Sequence, residues 1–144
     1  MIVIADTTGL LALFNSGDPA HVGSRKVADE AALLVASPPT LTEVHHVATA
    51  RAGRGAADAI LRKLSLRTRS MRLVLAETTG DLLDKALDVR ARYRDLNLDL
   101  VDAVNVCLAA QYGTDAVLTR DVRDFRALRP LDRHPCFRVL PDDL

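Results

Sequence analysis

Tryptophan is absent from these 144 residues, and aromatic side chains make up only 3% of them. A core built from this chain therefore rests on Ala, Val and Leu, and the shortage argues against reading bases by rows of stacked rings. The two cysteines, Cys107 and Cys136, have no metal-type spacing and are too few for a disulfide scaffold. No apolar run approaches the roughly 18–20 residues that cross a bilayer. Asp6 breaks the apolar start too early for a secretory signal. An excess of one charge is missing too: 19 basic and 19 acidic residues cancel, and a pI near 6.9 excludes a uniformly cationic coat for nucleic acid. These absences lead to the expectation of a reduced, cytoplasmic chain without membrane contact. What is present is a 49% hydrophobic fraction in a length suited to one domain, taken as residues 1–144.

The charge is unevenly laid out. Residues 1–50 carry five acids and two bases, whereas Arg51, Arg54, Arg62, Lys63, Arg67, Arg69 and Arg72 face only Asp58 in the next stretch. Sixteen of the nineteen bases are arginine, whose planar fork matches phosphate where lysine offers a point charge. A GC-rich genome accounts for arginine over lysine but not for the clustering. The 51–72 segment is therefore expected to hold a phosphate backbone, with a solvated helix face as the plainer alternative.

Short β-branched or aliphatic runs at Ile2–Ala5, Leu33–Ala36, Leu73–Leu75 and Ala116–Leu118 read as strands, and Phe137–Leu140 as a fifth. Helical patterns lie between them: Thr7–Phe14, Pro19 to Ala32 with Asp18 as cap, Thr40 to Ala52, Ala56–Leu66, a long helix to Asp95 capped by Thr79 or Asp81, and Val101–Ala110. Strands alternating with helices and no hairpin signals imply an α/β fold on a parallel sheet.

In such sheets ligands bind beyond the carboxyl ends of the strands. Asp6 closes the first strand, Asp121 follows the fourth, Glu43 stands early in the helix after the second, and Asp102 opens the helix leading to the fourth. Each has a plainer reading alone. Asp6 and Asp121 suit helix caps, Glu43 follows Thr40 at capping-box spacing, and Asp102 complements a helix dipole. Together those readings leave the shared rim a coincidence. Four ionised carboxylates at about 5 Å, with an effective dielectric near 20, repel by roughly 3 kcal/mol per pair. A divalent ion relieves that repulsion, and oxygen-only ligands favour Mg²⁺, with Mn²⁺ as a substitute. Such an ion activates water for attack on phosphorus.

Four stretches of the chain resemble the PIN-domain ribonucleases, and within them the VapC toxins of bacterial toxin–antitoxin pairs. They are Ile4-Ala5-Asp6-Thr7-Thr8, Leu41-Thr42-Glu43-Val44, Leu100-Val101-Asp102-Ala103, and Leu118-Thr119-Arg120-Asp121 running on through Val122-Arg123-Asp124-Phe125. Thr8 departs from the Ser or Asn that many relatives carry. The resemblance implies a three-layer α/β/α sandwich with a parallel four- to five-stranded sheet. It implies that Asp6, Glu43, Asp102 and Asp121 are the catalytic residues and the ligands of Mg²⁺, with Asp124 in an outer position and Thr7 or Thr8 orienting the first carboxylate. Asn105 and Asp99 stand near the same rim. The implied activity is endoribonucleolytic hydrolysis of RNA by a metal-activated water, in a toxin that forms a homodimer and is neutralised by an antitoxin covering the acidic groove. The alternative is a PIN-like module that binds RNA or protein without cutting.

Other chemistries find less support. Glu43 and His46 form a single Glu-x-x-His where a di-iron bundle needs two copies. Gly53 and Gly55 lack the partners of a phosphate loop. A metal-free ribonuclease needs two imidazoles around one phosphate. His45 and His46 are sequence neighbours, about 100° apart on a helix, and neither His21 nor His134 is placed to join them.

Overall fold

The structure, a computed structural model, describes residues 1–144. Five strands, β1 (Ile2–Ala5), β2 (Leu33–Ala36), β3 (Leu73–Leu75), β4 (Ala116–Leu118) and β5 (Arg138–Leu140), form one sheet in the order β3-β2-β1-β4-β5. Every pairing is parallel. The connections are helical: α1 (Thr7–Phe14), α2 (His21–Glu30), α3 (Pro38–Ala52), α4 (Arg54–Arg69), α5 (Gly80–Arg92), α6 (Leu100–Gln111) and α7 (Val122–Ala127), with one 3₁₀ turn at Arg94–Leu96. The expected α/β/α sandwich is present, with five strands.

Strand alternation sorts the core into two halves. Ile4, Val35, Val117 and Val139 face the layer of α5, α6 and α7, where Ala86, Val104, Leu108 and Phe125 are buried. Val3, Ala5, Leu34, Ala36, Leu118 and Leu140 face the α1–α4 side, against Leu10, Val27, Val44 and Leu64. With helices on both faces the strands read as continuous apolar runs, as buried parallel strands do. No helix is long and apolar enough to cross a membrane.

Three helix starts differ from expectation, α4 beginning at Arg54 and not Ala56. α2 begins at His21, because the Asp18 carboxylate accepts from the Ala20 amide at 2.8 Å and so closes a turn instead of capping Pro19 onward. α3 begins at Pro38, with Ser37 as its cap accepting from the Thr40 amide at 3.3 Å. Pro38 and Pro39 suit the first turn, where their missing amides have no partner to lose. Glu43 therefore lies beyond the third helical position, and Thr40 and Glu43 form no capping box.

The sheet order reverses at β1, which sends one crossover outward through β2 and pairs β4 on its other edge. The register sets Ala5 opposite Leu118, and the Asp6 amide donates to the Leu118 carbonyl at 2.9 Å. Gly9 makes this closeness possible. A Cβ there would stand 2.2 Å from the Leu118 oxygen, so α1 rests directly on the β4 backbone.

Candidate metal centre

The topological switch point between β1 and β4 is where an open parallel sheet leaves a crevice. Asp6 enters it as the residue after β1, Asp121 as the third residue after β4, and Asp102 from the first turn of α6. One carboxylate oxygen from each lies within 4.8 Å of the others. Asp6 and Asp102 are buried and Asp121 partly so. No lysine, arginine or histidine pairs with any of the three.

The capping readings fail for two of these acids. Asp6 precedes α1 and Asp121 precedes α7, yet neither side chain caps its helix. The cap of α6 is Asp99, which accepts from the Asp102 amide at 2.8 Å and thereby leaves the Asp102 carboxylate free of that duty.

Asp6 is held by donors from two other segments. Asn105 Nδ2 donates to Asp6 Oδ1 at 2.9 Å, and Thr119 Oγ1 donates to Asp6 Oδ2 at 2.7 Å. The same Thr119 oxygen accepts from the Asp121 amide at 2.9 Å, so one hydroxyl ties two of the acids together. Thr8 Oγ1 stands 3.2 Å from Thr119 Oγ1 and accepts from the Arg120 amide at 2.8 Å. Thr7 Oγ1 and Asn105 Oδ1 are buried without a partner.

Burial dominates the electrostatics. It raises the Asp6 carboxyl to about 7, against the lowering effect of the Thr119 hydrogen bond, and the negative charge of Asp121 pushes the same way as burial. Burial also raises Asp102, to about 9, with Asp6, Asp99 and Asp121 adding repulsion. Asp121 is raised by burial, which a hydrogen bond with Asp6 partly offsets. Each shift says that the folded chain without a cation resists ionising this cluster.

Glu43 is not among the gathered oxygens; it sits half-buried on α3, the helix that packs beside α1. Asp124 is likewise outside the triad and acts on Asp121 only through its charge. Thr119 lies in a stretch that sequence reading singled out, but its role depends on contacts 113 residues apart. Three of the four histidines have other partners: His21 bonds the Ala12 carbonyl, His45 pairs with Asp58 and His134 with Asp132.

The donor set fits a hard divalent cation. Its oxygens are carboxylates only, no protein cation compensates them, and the protein pulls them close against their repulsion.

A three-layer parallel α/β fold with an acidic centre at its switch point defines the class. Residues 3–129 match the family model of the PIN domain, and the chain belongs to that family. Over 130 residues it is 35% identical to Ribonuclease VapC26 of Mycobacterium tuberculosis, a match covering 90% of this chain and 93% of that protein. Two solved structures share the fold. The Mycobacterium tuberculosis VapC20 structure, described as a sarcin–ricin loop cleaving toxin, superposes with a TM-score of 0.72 at 24% identity, covering 84% of this chain and 90% of that one. VapBC2 from Rickettsia felis, bound to a DNA fragment from its promoter, gives a TM-score of 0.68 at 12% identity, covering 96% and 98%.

Proposed function

We propose that this protein is a Mg²⁺-dependent endoribonuclease that acts as the toxin of a toxin–antitoxin pair. The observation that carries the reading is the triad of buried Asp6 and Asp102 with half-buried Asp121, drawn together within 4.8 Å without a compensating cation. Membership of the PIN family and the likeness to a named VapC ribonuclease support the substrate class. The likeness to a VapBC structure supports an antitoxin partner.

In this reading Asp6, Asp102 and Asp121 hold the ion, and Glu43 closes the acidic rim from α3. When bound, the ion supplies Lewis acidity that activates water and steadies the charge of the scissile phosphate. The chain's own part is positional. Asn105 and Thr119 fix both Asp6 oxygens, and Asp99 holds the first turn of α6 so that Asp102 points from a rigid end. Residues 1–144 form one domain that works in the cytoplasm as a homodimer, and the antitoxin covers the acidic rim.

Cleavage of bacterial RNA with and without chelator tests this reading. Attack by water leaves a 5′-phosphate and a 3′-hydroxyl and makes no use of the 2′-oxygen, so a single 2′-deoxy sugar at the cut site is tolerated. Cyclic-phosphate ends, or cleavage that persists in EDTA, would sink it.

A further inference from the structure

α6 buries an unbroken run from Val101 to Ala109, all of it apolar except Asp102 and Asn105. Three residues apart, these two share a helix face. Asn105 has no exposed surface. Its Nδ2 donates to Asp6 Oδ1 at 2.9 Å, while its own Oδ1 meets no donor. A buried acceptor left unpaired costs about 1–3 kcal/mol. Half of this amide is idle, so what it contributes in an otherwise apolar run is the donor to Asp6.

That donor completes a grip on one carboxylate. Thr119 Oγ1 reaches the other Asp6 oxygen at 2.7 Å. Asp6 is thus held from α6 on one side and from the end of β4 on the other. It cannot turn about its Cβ–Cγ bond without breaking one of two buried hydrogen bonds. Such fixity discriminates between hard cations. Mg²⁺ demands near-ideal octahedral geometry at about 2.0–2.1 Å, whereas Ca²⁺ accepts roughly six to eight oxygens in looser arrangements, often both from one carboxylate. Mn²⁺ takes the octahedral oxygen set of Mg²⁺. A pinned carboxylate favours the strict ions, and one free to swing accommodates the larger.

Resting on the reading of this centre as a Mg²⁺ site, we propose that Asn105 is the positioning residue that sets its cation preference. By pinning Asp6 Oδ1 it keeps that carboxylate in an orientation that suits Mg²⁺ and Mn²⁺ and denies Ca²⁺ the looser grip. Thr119 shares the hold but also accepts the Asp121 amide. Asn105 acts on Asp6 alone, so changing it leaves the backbone of a second acid undisturbed.

The test compares the full chain with Asn105→Leu, which keeps the shape of the amide without its donor, and with Asn105→Ala. Electron paramagnetic resonance of free Mn²⁺, titrated with and without competing Ca²⁺, gives both affinities. Mn²⁺ affinity falls about tenfold in each variant, as on losing a partner that orients a ligand. Ca²⁺ affinity hardly moves, so the preference for Mn²⁺ over Ca²⁺ drops by the same factor. A residue that only braced α6 against β1 would weaken both ions together, and an unchanged preference would overturn the proposal. A second measurement needs no variant. Asn15, Asn97 and Gln111 are exposed and Asn105 is the one buried side-chain amide, so slow exchange singles out its Nδ2 protons in ¹⁵N-resolved NMR. The proton on Asp6 stays protected in EDTA and in saturating Mg²⁺. Fast exchange in the Mg²⁺ form would mean that the ion breaks the hydrogen bond, and the proposal would be wrong. Wild type that binds neither ion defeats the metal reading and this role with it. Tight Mn²⁺ binding with an unchanged preference in the variants defeats this role alone.

Discussion

Replacing Asp6 with Asn should stabilise this protein when no divalent ion is present, and the gain should depend on pH. The structure offers the amide a place. Asn105 Nδ2 can still donate to the side-chain oxygen, and the new NH₂ can donate to Thr119 Oγ1 once that hydroxyl turns its own proton toward Thr8, 3.2 Å away. What is lost is a charge that burial opposes. The Asp6 carboxyl is raised from 3.8 to about 7, and at 1.36 kcal/mol per unit its ionisation at pH 8 costs the fold roughly 4 kcal/mol. A separate figure comes from the repulsion of Asp121 alone, near 3 kcal/mol at about 5 Å as an upper bound, because Asp102, raised to about 9, stays largely protonated at pH 8. A carboxyl whose folded pKa is raised favours the folded state while protonated, and that advantage drains away as pH climbs from the unfolded value toward the folded one. The variant should therefore match wild type near pH 4, and gain as pH rises to 8, where the difference reaches on the order of 10 °C in Tm for a chain of this length. Mg²⁺ should raise the wild-type Tm and move the variant far less, because binding to the folded state alone is what stabilises. Thermal unfolding by circular dichroism, in EDTA and in Mg²⁺ across that pH range, reads all of this. A variant less stable than wild type at pH 8 in EDTA, or a gain constant with pH, would refute the reasoning.

Thr119→Val keeps the side-chain shape but removes the donor to Asp6 and the acceptor of the Asp121 amide. It should destabilise by roughly 2–3 kcal/mol and weaken metal affinity measured by calorimetry, while Thr119→Ser restores both; equal affinity in Val and Ser variants would make Thr119 mere packing. Gly9→Ala drives a Cβ into the Leu118 carbonyl, the same oxygen that accepts the Asp6 amide. The overpacking should cost about 1–3 kcal/mol by denaturant titration and loosen the metal site; an alanine variant of wild-type stability would mean that α1 can lift off β4 freely.

The strands were legible in the sequence because each is a short aliphatic run bounded by a polar residue; Asp6 and Asp121 were legible because strand ends mark the crevice of a parallel sheet, and Asp102 because it opens the helix leading to β4. Helix starts were less so. Asp18 looked like a cap for Pro19 onward, yet its carboxylate closes a local turn on Ala20, and the prolines of α3 sit inside the helix they seemed to precede. Glu43 shared the motif pattern without joining the triad, since its place on α3 sets it by helix packing and not by strand register. The ties of Asn105 and Thr119 to Asp6 span 99 and 113 residues, which no local pattern reports. The contacts of Arg72 were illegible for the same reason: exposed as it is, it also fastens two carbonyls at the end of α2.

Asp6, Asp102 and Asp121, gathered within 4.8 Å of one another, are proposed to share a divalent ion. Isothermal titration of Mn²⁺ into the wild-type protein and into Asp102→Asn tests it most directly. Saturable binding to the wild type is expected, with protons released as the raised carboxyls ionise, and a loss of at least tenfold in affinity in the variant. Equal binding by the two proteins, or binding by the wild type with no proton release near pH 7, would contradict it.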